Sequence, residues 1–223
     1  MMSSTAVKIC GLQSVEVLKS MVHLPIDYIG FVFAKSKRQV SEAQAAELIP
    51  ILQEWITGTA PASVGVLVNP TLPELSRILA EAPLDIIQLH GSETPEFCRE
   101  VKQAFGVKIF KALSVKDDGS IHHEQPLAGY EGVIDGLLLD TYDPLYGGGA
   151  GKTFAWERAE PYKTWASRQE IEFLAAGGLH PGNVEELIGC LNPDGVDVSS
   201  GVETDGVKDI NKIIAFVERV KGK

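Results

Sequence analysis

The sequence predicts an α/β protein, a single-domain (β/α)8 (TIM) barrel over residues 1–223, and three observations carry that prediction. Short runs rich in β-branched residues alternate with amphipathic segments eight times along the chain, which favours parallel strands joined by right-handed crossovers. The length of 223 residues gives about 28 residues per unit, the compact end for such a barrel. The last two strand-to-loop corners both break into glycine and other small residues. In a barrel those two loops form the usual phosphate site. Alternation alone does not distinguish a closed barrel from an open doubly wound sheet.

In chain order the strands are read at 5–9, 27–33, 63–68, 85–89, 107–113, 135–139, 172–176 and 195–198. Each is a short apolar run bounded by polar or turn residues. The helices between them are read at 13–22, 41–55, 72–82, 94–105, 119–131, 154–166, 181–190 and 207–220, of which 119–131 is poorly patterned. Ser41 with Gln44, and Thr71 with Glu74, have the spacing of capping boxes. Pro95 and Pro181 suit the first helical position, where a missing N–H costs nothing. No linker, low-complexity tract or domain boundary is read in the chain.

Composition bounds the function. With 44% hydrophobic residues the chain can bury a full core. Its 20 basic and 30 acidic residues give a net charge of −10, which argues against nucleic acid or an anionic membrane as partner. An anionic ligand must then be held mostly by backbone dipoles and a few placed cations. Cys10, Cys98 and Cys190 are too few and too scattered for a disulfide framework or a zinc site, so no metal is expected. No secretory leader and no membrane span are expected, which points to a reduced, cytoplasmic location.

The corners after the last two strands are Gly177-Gly178 and Ser199-Ser200-Gly201. Both present the small residues that let backbone N–H groups approach an anion. Polar residues at strand ends stand out against apolar strands: Cys10 after strand 1, His90 after strand 4 and Asp140 after strand 6. In a barrel these ring the mouth where active sites lie. Alternation puts Lys8 with Cys10, Gln88 with His90, and Asp197 with Ser199 on common faces. Cys10 and Asp140 are thus the candidate chemical pair, a thiol and a carboxyl at opposite sides of one pocket. The plainer readings are a small buried hydrophobe for Cys10, a turn cap for Asp140 and a rim hydrogen bond for His90. His122, His123 and His180 read as surface or loop residues, and Cys98 and Cys190 as helix packing residues. Lys8 and Asp197, inward at similar depth on strands that pair when the barrel closes, are expected to form an ion pair beneath the pocket.

The run Gly147-Gly148-Gly149-Ala150-Gly151-Lys152-Thr153 invites a phosphate-loop reading. That reading fails on spacing, because the position five before Gly151 is Tyr146. A mobile loop over the mouth, with Lys152 available to an anionic group, fits better.

Taken together the motifs resemble the phosphoribosylanthranilate isomerase family. They are KICG at 8–11, GFVF at 30–33, SKR at 36–38, VGVLVN at 64–69, QLHG at 88–91, LLLDT at 137–141, GKTF at 151–154, GGL at 177–179 and VDVSSGVE at 196–203. The resemblance runs in order over nearly the whole chain. It implies a cofactor-free Amadori rearrangement of N-(5-phosphoribosyl)anthranilate, with Cys10 as general base and Asp140 as general acid. It also implies substrate contacts at Arg38, with His90 and Asp197 in the same pocket, and a phosphate site of Gly177, Gly178, Ser199, Ser200 and Gly201. The roles ask for a thiolate at Cys10, which Lys8 would favour, and a protonated carboxyl at Asp140. The partner implied is a small phosphosugar, bound by a monomer or a homodimer. Two departures concern the loop after strand 6: Ala155 stands where the family usually has aspartate, and the glycine run is one residue longer than the common pattern. Two rivals remain at this point. One is another sugar-phosphate isomerase or synthase on the same barrel, such as the histidine-pathway isomerase, which would be expected to use two aspartates, so that Cys10 speaks against it. The other is a phosphosugar-binding protein without catalysis, against which the retention of both Cys10 and Asp140 argues.

Overall fold

The structure is a computed structural model that describes residues 5–115, 126–141, 156 and 158–222. Eight parallel strands close into a barrel in sequence order. They are β1 (Ala6–Cys10), β2 (Tyr28–Val32), β3 (Ala62–Leu67), β4 (Ile86–Leu89), β5 (Lys108–Val115), β6 (Gly136–Thr141), β7 (Glu172–Ala176) and β8 (Gly195–Val198). Closure is made by β8 on β1, with Lys8 opposite Asp197 and Ile9 opposite Val198.

Side-chain alternation sorts the apolar residues into two cores. Val64, Ile86, Phe110, Ala112, Leu138, Leu174 and Ala176 fill the barrel. Val7, Ile9, Ile29, Phe31, Ile87 and Leu89 face outward and pack with helix residues such as Leu18, Leu75 and Phe216. Counting by twos along each strand, the inward set includes Lys8, Cys10, Gln88, His90, Asp140, Asp197 and Ser199.

The helices among the described residues are α1 (Val15–Met21), α2 (Glu42–Leu48), α3 (Leu72–Glu81), α4 (Pro95–Phe105), α5 (Glu160–Arg168), α6 (Val184–Leu191) and α7 (Ile210–Lys221). Both capping boxes are present, Ser41 with Gln44 and Thr71 with Glu74, and Pro95 opens α4. Several boundaries differ from the sequence reading, among them that of the helix read at 154–166, observed at Glu160–Arg168. The helix read at 41–55 stops at Leu48 and continues as a 3-10 turn over Ile49–Glu54, because Pro50 supplies no N–H to an α-helical bond. Pro181 lies in a turn, and α6 starts only after Asn183, whose side-chain oxygen accepts from the His180 N–H at 2.8 Å. The segment read as helix from 207 instead begins with a hairpin, β9 (Glu203–Thr204) and β10 (Val207–Lys208). After β5 the described part of the region read as helix 119–131 holds a 3-10 turn over Leu127–Tyr130.

The N-terminal face of the barrel carries a fourfold device. Asp27, Asp85, Asp135 and Asp194 directly precede β2, β4, β6 and β8. Each carboxylate accepts the backbone N–H of a residue in the preceding odd-numbered strand: Val7 at 2.7 Å, Ser63 at 2.8 Å, Ile109 at 2.9 Å and Phe173 at 2.9 Å. Strands are thereby tied in pairs at the end opposite the mouth.

Candidate active site

The mouth is built at the C-terminal ends of the strands, where side chains escape the apolar filling. Cys10 ends β1 and is buried. Gly30 on β2 makes room for it, since a Cβ there would sit 2.8 Å from Cys10 Sγ. One residue pair deeper, Lys8 Nζ donates to Asp197 Oδ2 at 2.8 Å, with the two side chains 0% and 9% exposed. The expected ion pair across the barrel seam is therefore present. Asp197 Oδ1 is buried and has no hydrogen-bond partner among the described residues.

The electrostatics around Cys10 correct one expectation. Burial is the largest influence and raises the thiol; Lys8 pulls it down, Asp197 pushes it up, and Lys208 pulls it down. The net direction is upward, so Lys8 moderates the penalty without reversing it. For Lys8 burial is again the largest influence and lowers it, but Asp197 and Cys10 together outweigh burial and hold the ammonium charged.

Asp140 projects from β6 across the barrel from β1. His90 Nε2 lies 3.4 Å from Asp140 Oδ2, and both side chains are about one-quarter exposed. Gln88 Nε2 is 3.1 Å from His90 Nδ1, so the imidazole is held between Gln88 and Asp140. His90 does make the rim hydrogen bond of its plainer reading, and it also touches the candidate acid. The loop that carries it is pinned from behind. Lys111 Nζ donates to the carbonyls of Leu89 and Gly91 at 3.1 and 2.8 Å, and to Glu93 at 3.0 Å.

The two glycine corners lie against each other. Gly177 and Gly178 have φ of 91° and 61°, which side chains rarely adopt. A Cβ on Gly201 would fall 1.8 Å from the Leu179 carbonyl oxygen, so only glycine permits this approach. Ser199 Oγ donates to the Cys10 carbonyl at 3.1 Å, joining the β8 corner to the end of β1. Arg38 reaches the same region from the loop after β2, where Gln39 bridges to Val32. It donates to Glu203 through Nε at 2.6 Å and Nη2 at 2.7 Å.

Cys10, Ser199, Asp197 and Arg38 thus gather on one side of the mouth, and His90 with Asp140 on the other. Sequence reasoning missed Glu203 and Lys208, although Asp205-Gly206 between short β-prone pairs is a hairpin signal. Cys98 is buried as expected, whereas Cys190 is exposed, its place on α6 being turned away from the barrel. The glycine run with Lys152, together with Ala155, His122 and His123, lies outside the described residues. Among the described residues no group of three or more His, Cys, Asp or Glu is placed to hold a metal ion, and no helix is long and apolar enough to cross a membrane.

The sequence model of the N-(5'phosphoribosyl)anthranilate (PRA) isomerase family matches residues 7–219. The chain belongs to the phosphoribosylanthranilate isomerase family. The N-(5'-phosphoribosyl)anthranilate isomerase of Brevibacillus brevis is 46% identical to it over 217 residues, covering 97% of this chain and 94% of that one. The phosphoribosyl anthranilate isomerase crystal structure from Thermotoga maritima matches with a TM-score of 0.79 and 33% identity, covering 98% of this chain and 100% of its own. A further phosphoribosyl anthranilate isomerase structure, in complex with reduced 1-(o-carboxyphenylamino)-1-deoxyribulose 5-phosphate, matches with a TM-score of 0.75 and 30% identity, covering 98% and 100%. Membership in the phosphoribosylanthranilate isomerase family makes the chain an isomerase of tryptophan biosynthesis that carries out an aldose–ketose (Amadori) rearrangement.

Proposed function

We propose that the chain converts N-(5-phosphoribosyl)anthranilate to 1-(2-carboxyphenylamino)-1-deoxyribulose 5-phosphate, with Asp140 as general acid and Cys10 as general base. The observation that carries this reading is their placement: both project inward at the C-terminal rim, on strands at opposite sides of one barrel. Asp140 gives its proton to the ring oxygen as the C1′–O bond breaks, and the anilino nitrogen lone pair forms the iminium. Cys10 thiolate then removes the C2′ proton, and the C–H electrons neutralise the iminium to give an enolamine. Tautomerisation yields the ketone. One proton leaves the acid and one reaches the base, so the step needs neither metal nor organic cofactor.

The substrate carries two anions, and the mouth offers two places for them. The phosphate belongs at Gly177, Gly178, Ser199, Ser200 and Gly201, where small residues bring backbone close. The carboxylate is then left to Arg38. Asp197 Oδ1, buried and without a partner among the described residues, is available to a ribose hydroxyl, and His90 lines the opposite wall beside Asp140.

The experiment is an anthranilate-fluorescence assay with purified protein and phosphoribosylanthranilate. Catalysed loss of substrate fluorescence with formation of the deoxyribulose phosphate is expected. Binding without turnover would instead favour a phosphosugar-binding protein.

A further inference from the structure

Arg38 sits on a loop, yet its guanidinium is fixed by two residues from the far end of the chain. The hairpin of β9 and β10 sets Glu203 directly opposite Lys208. Its turn residues, Asp205 and Gly206, have φ of 53° and 80°, the double positive-φ turn that an Asp-Gly pair favours. The hairpin therefore delivers a carboxylate and an ammonium side by side. Glu203 accepts from both Nε and Nη2 of Arg38, and Lys208 Nζ donates to Glu203 Oε1 at 2.7 Å. The Glu203 and Lys208 side chains are 7% and 5% exposed, against 29% for Arg38. Burial alone would raise the Glu203 carboxyl, but the hydrogen bonds from Arg38 and Lys208 outweigh it and keep the group below the ordinary carboxylate range.

Among the described residues, this geometry leaves one edge of Arg38 free. A guanidinium is a planar fork with five N–H donors. Glu203 takes the edge formed by Nε and Nη2, so the edge formed by Nη1 and the remaining Nη2 hydrogen can take a second planar anion. The arginine stem is also located: a Cβ on Gly11 would lie 2.6 Å from Arg38 Cδ, so the stem crosses the end of β1 next to Cys10. Lys208 extends the same network by donating to the Ser199 carbonyl at 2.8 Å, and Ser199 Oγ reaches the Cys10 carbonyl.

We propose that Glu203 and Lys208 are positioning residues that hold Arg38 with its open edge toward the substrate carboxylate, so that the 203–208 hairpin sets affinity for carboxylate-bearing substrates. This rests on the isomerase reading above. A loop arginine free to swing would lose side-chain entropy on every binding event, whereas a clamped one has already lost it. Removing the clamp therefore weakens ground-state and transition-state binding alike, which raises KM more than it lowers kcat.

Glu203→Gln tests this. With phosphoribosylanthranilate, KM is expected to rise on the order of tenfold while kcat changes far less. With the aniline analogue, which lacks the carboxylate, the variant and the parent protein should have matching KM values. The double variant Arg38→Met/Glu203→Gln should lose no more than Arg38→Met alone, since the clamp acts only through the arginine. Penalties that add, or an equal loss with both substrates, would overturn the proposal. If Glu203→Gln does not fold, Glu203→Asp keeps the charge one methylene short and is read the same way. Calorimetric binding of anthranilate to these variants reads the clamp without turnover. A protein that binds anthranilate through Arg38 and Glu203 yet isomerises nothing refutes the isomerase reading alone; binding indifferent to Glu203 refutes the clamp.

Discussion

In the proposed reaction Cys10 acts as a base where the surroundings resist charging it. Burial raises the thiol, and the cations Lys8 and Lys208 recover only part of that penalty while Asp197 adds to it. The sign of the consequence is fixed. A base must be deprotonated to act, so kcat/KM should rise with pH through the Cys10 titration, on a limb above the ordinary thiol range. Alkylation of Cys10 can follow the same titration directly, in a Cys190→Ser background because Cys190 is exposed. Adding Lys208→Met removes a cation and should move the alkylation limb further toward alkaline pH. A limb at or below that of a free thiol, or one insensitive to Lys208, would contradict this electrostatic account. The asymmetry also suits the fold: a thiol tolerates burial in its neutral form far better than a carboxylate would.

At the scale of elements, the two glycine corners after β7 and β8 form one unit. A methyl group on Gly201 would meet the Leu179 carbonyl at 1.8 Å, a contact with rigid backbone that no rotamer change relieves. Gly201→Ala should therefore push the corners apart. Overpacking of this kind costs about 1–3 kcal/mol, and for a chain of this size lowers Tm by roughly 2–12 °C. KM for the phosphorylated substrate should rise with it; an unchanged Tm and KM would place the phosphate elsewhere. These corners were legible in the sequence because glycine and serine stand where an apolar strand ends. Cys10 and Asp140 were legible for the same reason, as polar residues directly after apolar runs. The clamp was not. Glu203 gains its meaning from Arg38, 165 residues away in the chain, and no local pattern connects them. Only its delivery was readable, in the Asp205-Gly206 turn, and the apolar periodicity of α7 masked that turn by extending the apparent helix backward. Pro181 misled similarly: the proline suited a helix start, but residues 181–183 form a turn, braced by the His180 N–H to Asn183 Oδ1 bond, and the helix starts only after Asn183.

Across the whole molecule the barrel separates stability from chemistry. Among the described residues the mouth gathers buried charge and the unpartnered Gln88 Oε1 and Asp197 Oδ1, both of which cost folding energy. The opposite face gathers Asp27, Asp85, Asp135 and Asp194, which lock strands in pairs by accepting N–H groups of the odd-numbered strands. Hydrogen bonds to charged acceptors of this kind contribute about 1.5–3 kcal/mol each. Asp194→Ala should thus lower unfolding free energy by roughly that amount in a denaturant titration, while kcat at a temperature where the variant is folded stays near the parent value. A large loss of kcat with stability intact would mean that the two faces are not separable in this way.

The central claim is that a thiol and a carboxyl, facing each other across one barrel mouth, move the two protons of the rearrangement. Single-turnover decay of phosphoribosylanthranilate fluorescence in Cys10→Ser and Asp140→Asn tests it most directly, alongside the affinity of each variant for a reduced product analogue. Each variant should turn over about 10²–10⁴-fold more slowly, the usual worth of a positioned proton-transfer group, with analogue affinity close to that of the parent protein. Turnover near the parent rate in either variant would contradict the role assigned to that residue.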